Sequence, residues 1–257
     1  MSNRIEQLFK TKKENILSIY FTAGYPNLED TISVIQHLES CKVDMIEIGF
    51  PYSDPLADGP IIQKSSTKAI ENGMTLQKLF LQLKELRSYT QIPIILMGYL
   101  NPVLQYGERN FIEKCSEIGI DGIIIPDMPL NYYQSNLKSI CDEKSILNIL
   151  LITPETSEKR IREIDENSNG FIYLVSSNSI TGSTDSNSFQ TTYFERIQKM
   201  KLKNPYLIGF GIYNKSTFDE VARFGSGAII GSAFIKHLTE FGVSKPAIES
   251  FLANIRG

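Results

Sequence analysis

Short apolar runs rich in Ile, Leu and Val alternate along the chain with longer amphipathic stretches. Continuous apolar runs are typical of parallel strands buried on both faces, whereas apolar residues three or four positions apart indicate covering helices. Helical spacing is seen, for example, at Leu76, Leu79 and Leu83. The runs of strand type are ILSIYFT from Ile16, MIEIG from Met45, PIILM from Pro93, GIIIP from Gly122, NILLI from Asn148, FIYLV from Phe171, YLIGF from Tyr206 and GAIIG from Gly227.

Eight strand–helix units in 257 residues predict an α/β fold, a (β/α)8 TIM barrel. Residues 5–9 precede the first strand and are predicted to form an extra N-terminal helix, and Asn214 is placed to cap the helix that contains Phe218. We expect a single domain over residues 1–257, with a mobile loop at about 176–190 where the chain is rich in Ser, Asn and Gly. In such barrels the active residues follow the C-terminal ends of the strands.

The second apolar run carries one carboxylate, Glu47, and the Gly/Pro-rich loop after it carries another, Asp58. A carboxylate in an apolar interior is costly unless it is paired with a base or keeps its proton at a raised pKa. Alternation places Glu47 on the face opposite to Ile46 and Ile48, and residues 45–62 contain no Lys or Arg. The two acids predict a site for acid–base catalysis, and an ion pair with a distant base is the structural alternative.

Glycines recur at the ends of the last three predicted strands. Gly182 lies in the loop after the sixth strand, Gly211 follows the seventh, and Gly231-Ser232 closes the eighth before a helix-like segment. Backbone N–H groups there can converge on a dianion, because glycine permits close approach and a helix beginning at Ser232 directs its positive end at the same place. Barrels often bind phosphate at this position, although tight turns alone would also explain each glycine.

No predicted strand contains a Lys, and the two His residues are far apart. These absences argue against a Schiff-base aldolase and against a metal-dependent one, so no metal site is expected. Acid–base chemistry by carboxylates and a tyrosine remains, and Tyr173 of the sixth strand lies in the zone where active residues are expected. An aromatic pocket in the lumen is predicted from Tyr20, Thr22, Tyr99 and Phe210.

Composition favours a soluble protein, with 42% hydrophobic and 21% charged residues and a net charge of −3. This balance gives no reason to expect nucleic-acid binding. The first fifteen residues lack a signal-type apolar segment and no run of 18 apolar residues occurs, so we expect a cytoplasmic protein without membrane contact. Cys41, Cys115 and Cys141 lack C-x-x-C spacing and are predicted to be buried thiols.

Seven motifs are distributed over essentially the whole chain: FTAGYP from Phe21, IEIGFPYSDPLADGP from Ile46, LMGYLNP from Leu96, GIIIPDMP from Gly122, LITPET from Leu151, GFGI from Gly209 and GAIIGSAF from Gly227. Together they resemble the α subunit of tryptophan synthase. The long motif from Ile46 is highly specific, whereas GFGI or TPET alone would be weak. The resemblance implies retro-aldol cleavage of indole-3-glycerol phosphate to indole and glyceraldehyde 3-phosphate. It also implies an α2β2 heterotetramer, in which a β subunit holds pyridoxal phosphate and receives indole through a tunnel, with no cofactor in this chain.

The resemblance also implies roles for individual residues. Glu47 matches the glutamate that protonates the indole ring carbon and helps remove the glycerol hydroxyl proton. Asp58 matches the aspartate that accepts a hydrogen bond from the indole N–H and stabilises the cationic indolenine. Tyr173 matches an assisting tyrosine, and Thr181 matches a loop threonine that closes on Asp58. Gly182, Gly211, Gly231 and Ser232 match phosphate-binding positions, and Asp54, Pro55, Asn101 and Asp127 resemble partner-contact positions.

Two segments depart from the family pattern. The loop after the sixth strand reads SSNSITG where the family has S-R-x-G-V-T-G, so Ser177 replaces the arginine and Ser179 the glycine. Pro129-Leu130-Asn131-Tyr132 replaces a P-x-E-E-type sequence. These changes concern loop closure and partner contacts. Two alternatives stay open: another phosphate-binding barrel enzyme such as indole-glycerol-phosphate synthase, disfavoured by the lack of a strand lysine, and a catalytically weak subunit that regulates its β partner.

Overall fold

The computed structural model describes residues 3–176, 186–209 and 211–257, the side chains of residues 186–190 excepted. Within these ranges nine parallel strands form one sheet in the order β5-β4-β3-β2-β1-β9-β8-β7-β6. The predicted mobile loop, with Ser177, Ser179, Thr181 and Gly182, lies largely outside the described residues, as does Phe210. The strands are β1 Ile16–Thr22, β2 Met45–Gly49, β3 Ile94–Met97, β4 Gly122–Ile124, β5 Leu147–Asn148, β6 Leu150–Ile152, β7 Ile172–Val175, β8 Tyr206–Gly209 and β9 Gly227–Ile230.

The fifth predicted strand is divided at Ile149, where the chain changes its pairing partner. Before this residue β5 pairs with β4, with Asn148 opposite Ile123, and after it β6 pairs with β7, with Leu151 opposite Tyr173. The two edges of the sheet are thus consecutive in the chain, and the sheet closes into a barrel. The predicted (β/α)8 barrel is confirmed, with the run from Asn148 forming two short strands instead of one.

Helices follow the strands and cover the barrel. Asn214 caps its helix as predicted, because its side chain accepts a hydrogen bond from the Thr217 N–H at 3.0 Å. The predicted N-terminal helix is confirmed, with Ile5 fully buried. The helices are α1 Arg4–Thr11, α2 Asp30–Ser40, α3 Pro60–Glu71, α4 Leu76–Gln82, α5 Leu86–Tyr89, α6 Leu100–Tyr106, α7 Glu108–Ile118, α8 Leu130–Tyr132, α9 Lys138–Lys144, α10 Glu158–Asn167, α11 Ser186–Met200, α12 Lys215–Ala222, α13 Ser232–Phe241 and α14 Lys245–Arg256, with a 3-10 turn at Leu83–Glu85 and a π turn at Tyr133–Leu137.

The strand register decides which side chains face the lumen. Tyr20, Glu47 and Ile95 are partners on three adjacent strands, so their side chains share one face of the sheet. Tyr173 of β7 lies four places from β2 in the strand order, yet it interacts electrostatically with Glu47. That interaction crosses the barrel, so the shared face is the lumen.

The cysteines are free thiols, and two of them lie in the core as predicted. Cys115 and Cys141 are buried, and burial raises the pKa of the Cys141 thiol to about 12. The prediction is wrong for Cys41, which is partly exposed because it ends α2 at a surface turn. In the described ranges no helix has the length and apolar character of a membrane span.

Candidate active site

Glu47 is a fully buried carboxylate without an ion pair. Its Oε1 accepts a hydrogen bond from the Ser18 hydroxyl at 2.8 Å, and its Oε2 has no hydrogen-bond partner among the described residues. Burial raises the pKa of Glu47 from 4.5 to about 7, and the Ser18 hydrogen bond opposes that rise. No Lys or Arg of the described residues forms an ion pair with Glu47. The residues outside the described ranges include no Lys or Arg. The structure therefore does not support the ion-pair alternative.

Asp58 is partly buried at the end of the loop formed by residues 50–59. The Tyr99 hydroxyl accepts a hydrogen bond from the Ala57 N–H at 3.0 Å and is also hydrogen-bonded to the Asp58 side chain. Burial raises the pKa of Asp58 from 3.8 to about 6, and the Tyr99 hydrogen bond opposes that rise. With a pKa of about 6, Asp58 is mostly ionised at neutral pH, whereas Glu47 is divided between its acid and carboxylate forms.

Helix α3 fixes the loop that carries Asp58. The Ser66 hydroxyl accepts from the Tyr52 N–H at 3.0 Å and donates to the Tyr52 carbonyl at 3.1 Å. The Ser65 hydroxyl lies 2.7 Å from the Thr22 hydroxyl of β1. Thr22, predicted to line an aromatic pocket, is therefore engaged in a buried polar contact that ties α3 to the barrel.

Two tyrosines reach over glycines toward the carboxylates. A Cβ at Gly49 would overlap the Tyr20 hydroxyl, and a Cβ at Gly209 would overlap the Tyr173 ring. Burial raises the pKa of Tyr20 and Tyr173, and the negative charges of Asp58 and Glu47 add to this effect. Both phenols are therefore neutral near pH 7 and can donate hydrogen bonds into the lumen. Close approach of these side chains explains why glycine occupies positions 49 and 209.

The predicted phosphate positions lie at the adjoining ends of β8 and β9. These strands pair with Gly209 opposite Ile229, so the loop that contains Gly211 lies beside Gly231. Gly231 precedes the first turn of α13, and Ser232 is exposed at the first residue of that helix. A Cβ at Gly231 would lie 3.2 Å from Tyr20 Cδ1, so this helix start adjoins the lumenal pocket. Gly211 and the Gly231-Ser232 pair thus follow the C-terminal ends of two adjacent strands.

The predicted contact residues follow β2, β3 and β4 and thus share the C-terminal rim of the barrel. Asp54, Asn101 and Asp127 are exposed, and Asp127 Oδ1 accepts a hydrogen bond from the Leu100 N–H at 2.9 Å. The same loop exposes 91% of Leu56, which is next to the partly buried Pro55. Leu56 belongs to the loop of residues 51–58, which the sequence predicts as part of the partner surface.

Ser18 is a site residue that sequence reasoning missed. Its signal was the alternation in β1, where Ser18, Tyr20 and Thr22 carry hydroxyl groups on one face and apolar residues occupy the other. Because β1 neighbours the strand that bears Glu47, a hydroxyl group on that face could contact the carboxylate.

Comparison with known proteins identifies the family of this chain. The family model described as "Tryptophan synthase alpha chain" matches residues 6–254. The tryptophan synthase alpha chain of Flavobacterium psychrophilum is 59% identical and covers 98% of this chain and 99% of its own length. That of Flavobacterium johnsoniae is 57% identical over 99% and 100%. The crystal structure of tryptophan synthase subunit alpha from Legionella pneumophila superposes with a TM-score of 0.87 at 30% identity, over 100% of this chain and 98% of that one. This chain belongs to the tryptophan synthase alpha chain family.

Proposed function

We propose that this protein cleaves indole-3-glycerol phosphate to indole and glyceraldehyde 3-phosphate. The observation that carries the proposal is Glu47, a lumenal carboxyl group with a buried, unpartnered oxygen and a pKa of about 7. A group that is half protonated at neutral pH can both donate and accept a proton within one turnover. Retro-aldol cleavage of this substrate requires both transfers.

The proposed reaction uses the two carboxyl groups in different protonation states. The Glu47 carboxylic acid transfers its proton to the indole ring carbon that bears the glycerol chain, and positive charge develops on the ring nitrogen. The Asp58 carboxylate accepts a hydrogen bond from the ring N–H and stabilises this charge, an interaction that strengthens in the transition state. The carbon–carbon bond then breaks, its electron pair returns to the ring, and Glu47 takes the proton of the adjacent hydroxyl group as the aldehyde forms. Glu47 is thereby protonated again.

The other predicted residues orient the substrate in this proposal. Gly211, Gly231 and Ser232 supply backbone N–H groups to the phosphate at the start of α13, together with Gly182 from outside the described residues. Tyr173 and Tyr20 bound the indole pocket from β7 and β1. Tyr99 holds the Asp58 carboxylate and the loop backbone in one arrangement.

Incubation of the purified protein with indole-3-glycerol phosphate tests the proposal directly. We expect free indole, and the chain itself contains no Trp whose fluorescence would mask it. Ser168→Ala, which changes a buried serine in the turn after α10, should release indole as the wild type does. Failure of the wild type to release indole would contradict the proposed activity.

We also propose that this chain is one domain, that it acts in the cytoplasm, and that it binds a β subunit through its C-terminal rim. Pyridoxal phosphate is expected in that partner and no cofactor in this chain. The exposed loop of Asp54, Pro55 and Leu56, together with Asn101 and Asp127, would form the contact surface. Apolar side chains that are exposed in one subunit are typical of such surfaces.

Sedimentation of the chain with its cognate β subunit tests the partner proposal. Leu56→Asp should weaken the complex, because it places a charge in the contact. Leu81→Asp is the matched control, since Leu81 is 72% exposed on α4 and does not belong to the proposed contact surface. Equal weakening by both substitutions, or by neither, would contradict the proposed contact surface.

A further inference from the structure

The lumenal face of β1 presents a hydroxyl group directly to the proposed catalytic carboxyl group. Ser18 is fully buried, and its Oγ lies 2.8 Å from Glu47 Oε1. Its backbone is held in the closed sheet, where it is the register partner of Met45 on one side and Ile229 on the other. Pairing with both neighbouring strands therefore fixes the position of the Ser18 backbone. Glu47 approaches the Ser18 hydroxyl from the adjacent strand.

The two oxygens of Glu47 are not equivalent. Oε1 accepts the Ser18 hydrogen bond, whereas Oε2 is buried and has no partner among the described residues. A hydrogen bond to a carboxylate stabilises its charged form and occupies one oxygen, so the proton is held on the other. Ser18 thereby directs the transferable proton to Oε2.

We propose that Ser18 is a positioning residue that assigns Oε2 of Glu47 as the oxygen that exchanges protons with the substrate. This inference rests on the proposed function for its catalytic part. The hydroxyl fixes the rotation of the carboxyl group, so that the same oxygen gives the proton to the ring carbon and takes it back from the hydroxyl group. Without Ser18 both oxygens become interchangeable, and the group rotates in the lumen.

The other titratable groups around Glu47 do not replace this contact. Tyr20 projects from β1 and Tyr173 from β7, and burial raises the pKa of both phenols, so they remain neutral. Asp58 approaches from the loop after β2 and acts on the same two tyrosines. The register partner on β3 is Ile95, which cannot titrate. Ser18 is accordingly the described donor to Glu47.

Titration of Glu47 followed by NMR of protein with 13C-labelled Glu carboxyl carbons tests the proposal without any turnover. The Glu47 signal is assigned by its loss in Glu47→Gln. Ser18→Ala should raise the Glu47 midpoint by about one pH unit, because a donor to the charged form is lost. Ser18→Cys, a weaker donor of similar size, should give a smaller rise, and Ser18→Thr should restore the wild-type midpoint. Ser168→Ala, which removes a buried hydroxyl elsewhere, should leave the midpoint unchanged.

The pH dependence of kcat then tests the catalytic part. In Ser18→Ala the alkaline limb should move upward with the NMR midpoint and the maximal kcat should fall roughly tenfold, because an unfixed carboxyl group loses orientation. An unchanged NMR midpoint in folded Ser18→Ala and Ser18→Cys would overturn the proposal, as would a midpoint that moves while the kcat profile does not. If wild type releases no indole, the proposed function fails, and with it the catalytic role, whereas the NMR series still decides whether Ser18 controls the Glu47 proton.

Discussion

The two ends of the barrel both bury acidic side chains, but they give those acids different surroundings. At the N-terminal end Asp121, 3% exposed, binds Arg87 at 2.6 Å and Arg4 at 3.2 Å. It also accepts a hydrogen bond from the Ile94 N–H at 2.9 Å. In the lumen, toward the other end, Glu47 accepts one hydrogen bond, from a hydroxyl group, and forms no ion pair among the described residues. A saturated carboxylate stabilises the fold, whereas an undersaturated one keeps a proton that it can transfer.

The same contrast extends to neighbouring acids. Asp165, at the N-terminal end, accepts from the backbone N–H groups of Lys203 at 2.8 Å and Asn204 at 2.9 Å. Asp58, at the C-terminal end, has a pKa raised by burial to about 6. Barrels of this class separate stability from chemistry along their axis, and here the separation is visible in the number of donors around each carboxylate.

Glu47→Gln should give the largest effect, a loss of turnover by a factor of roughly 10² to 10⁴, because the amide cannot transfer a proton. The substitution preserves size and the Ser18 contact, so substrate should still bind. Single-turnover release of indole measures the loss, and circular dichroism checks the fold. Near-normal turnover would show that Glu47 is structural.

Asp121→Asn should show the reverse behaviour. It leaves the Arg87 guanidinium, with 18% side-chain exposure, without its charge partner, and such a loss costs about 3 to 5 kcal/mol in the free energy of unfolding. Turnover of the folded fraction should remain near normal. Urea unfolding measures the first quantity and indole release the second. A large loss of turnover at unchanged stability would break the contrast between the two ends.

As pH rises, the free energy of unfolding should decrease more in wild type than in Glu47→Gln. The pKa of Glu47 rises from 4.5 to about 7 on folding, so the folded state binds the proton more tightly. The penalty for ionising the group develops as pH rises from 4.5 to 7 and reaches about 3 kcal/mol at pH 8. Urea unfolding of both proteins at pH 5 and pH 8 measures it. Parallel pH dependences would contradict a raised pKa in the folded state.

Gly211→Val should have the smallest of these effects, a rise in KM for indole-3-glycerol phosphate of roughly tenfold, because a side chain there crowds the proposed anion site. Indole lacks the phosphate, so its dissociation constant should not change. Fluorescence titration of indole and steady-state kinetics give the two values. Equal weakening of both ligands would place the crowding in the indole pocket instead.

Much of the fold was predictable because its signals are local. Uniform apolar runs indicated the strands, and alternation within residues 45–49 placed Glu47 opposite to its apolar neighbours. The division of the fifth strand at Ile149 was not predictable, because the residues on either side are equally apolar and only the barrel geometry decides which neighbour each pairs with.

The candidate site was predictable in its residue types and not in its contacts. Asp58 stood out as an acid in a loop, but its hydrogen bond to Tyr99 joins elements far apart in the sequence. Gly209 begins the GFGI motif, and only the structure shows that the Tyr173 ring excludes a side chain at this position. Such packing depends on strand order, which no single segment encodes.

The change of pairing partner at Ile149 also separates the residues of the proposed site into two halves of the chain. The half that ends with β5 contains Glu47 and Asp58, and the half that begins with β6 contains the phosphate positions. The halves meet again where Ile16 of β1 pairs with Gly227 of β9. Pairing between segments so distant in sequence raises the contact order, which slows folding. During synthesis or refolding, cleavage of the substrate should therefore begin only when β1 and β9 have paired. The onset of activity would then report the time at which the barrel is complete.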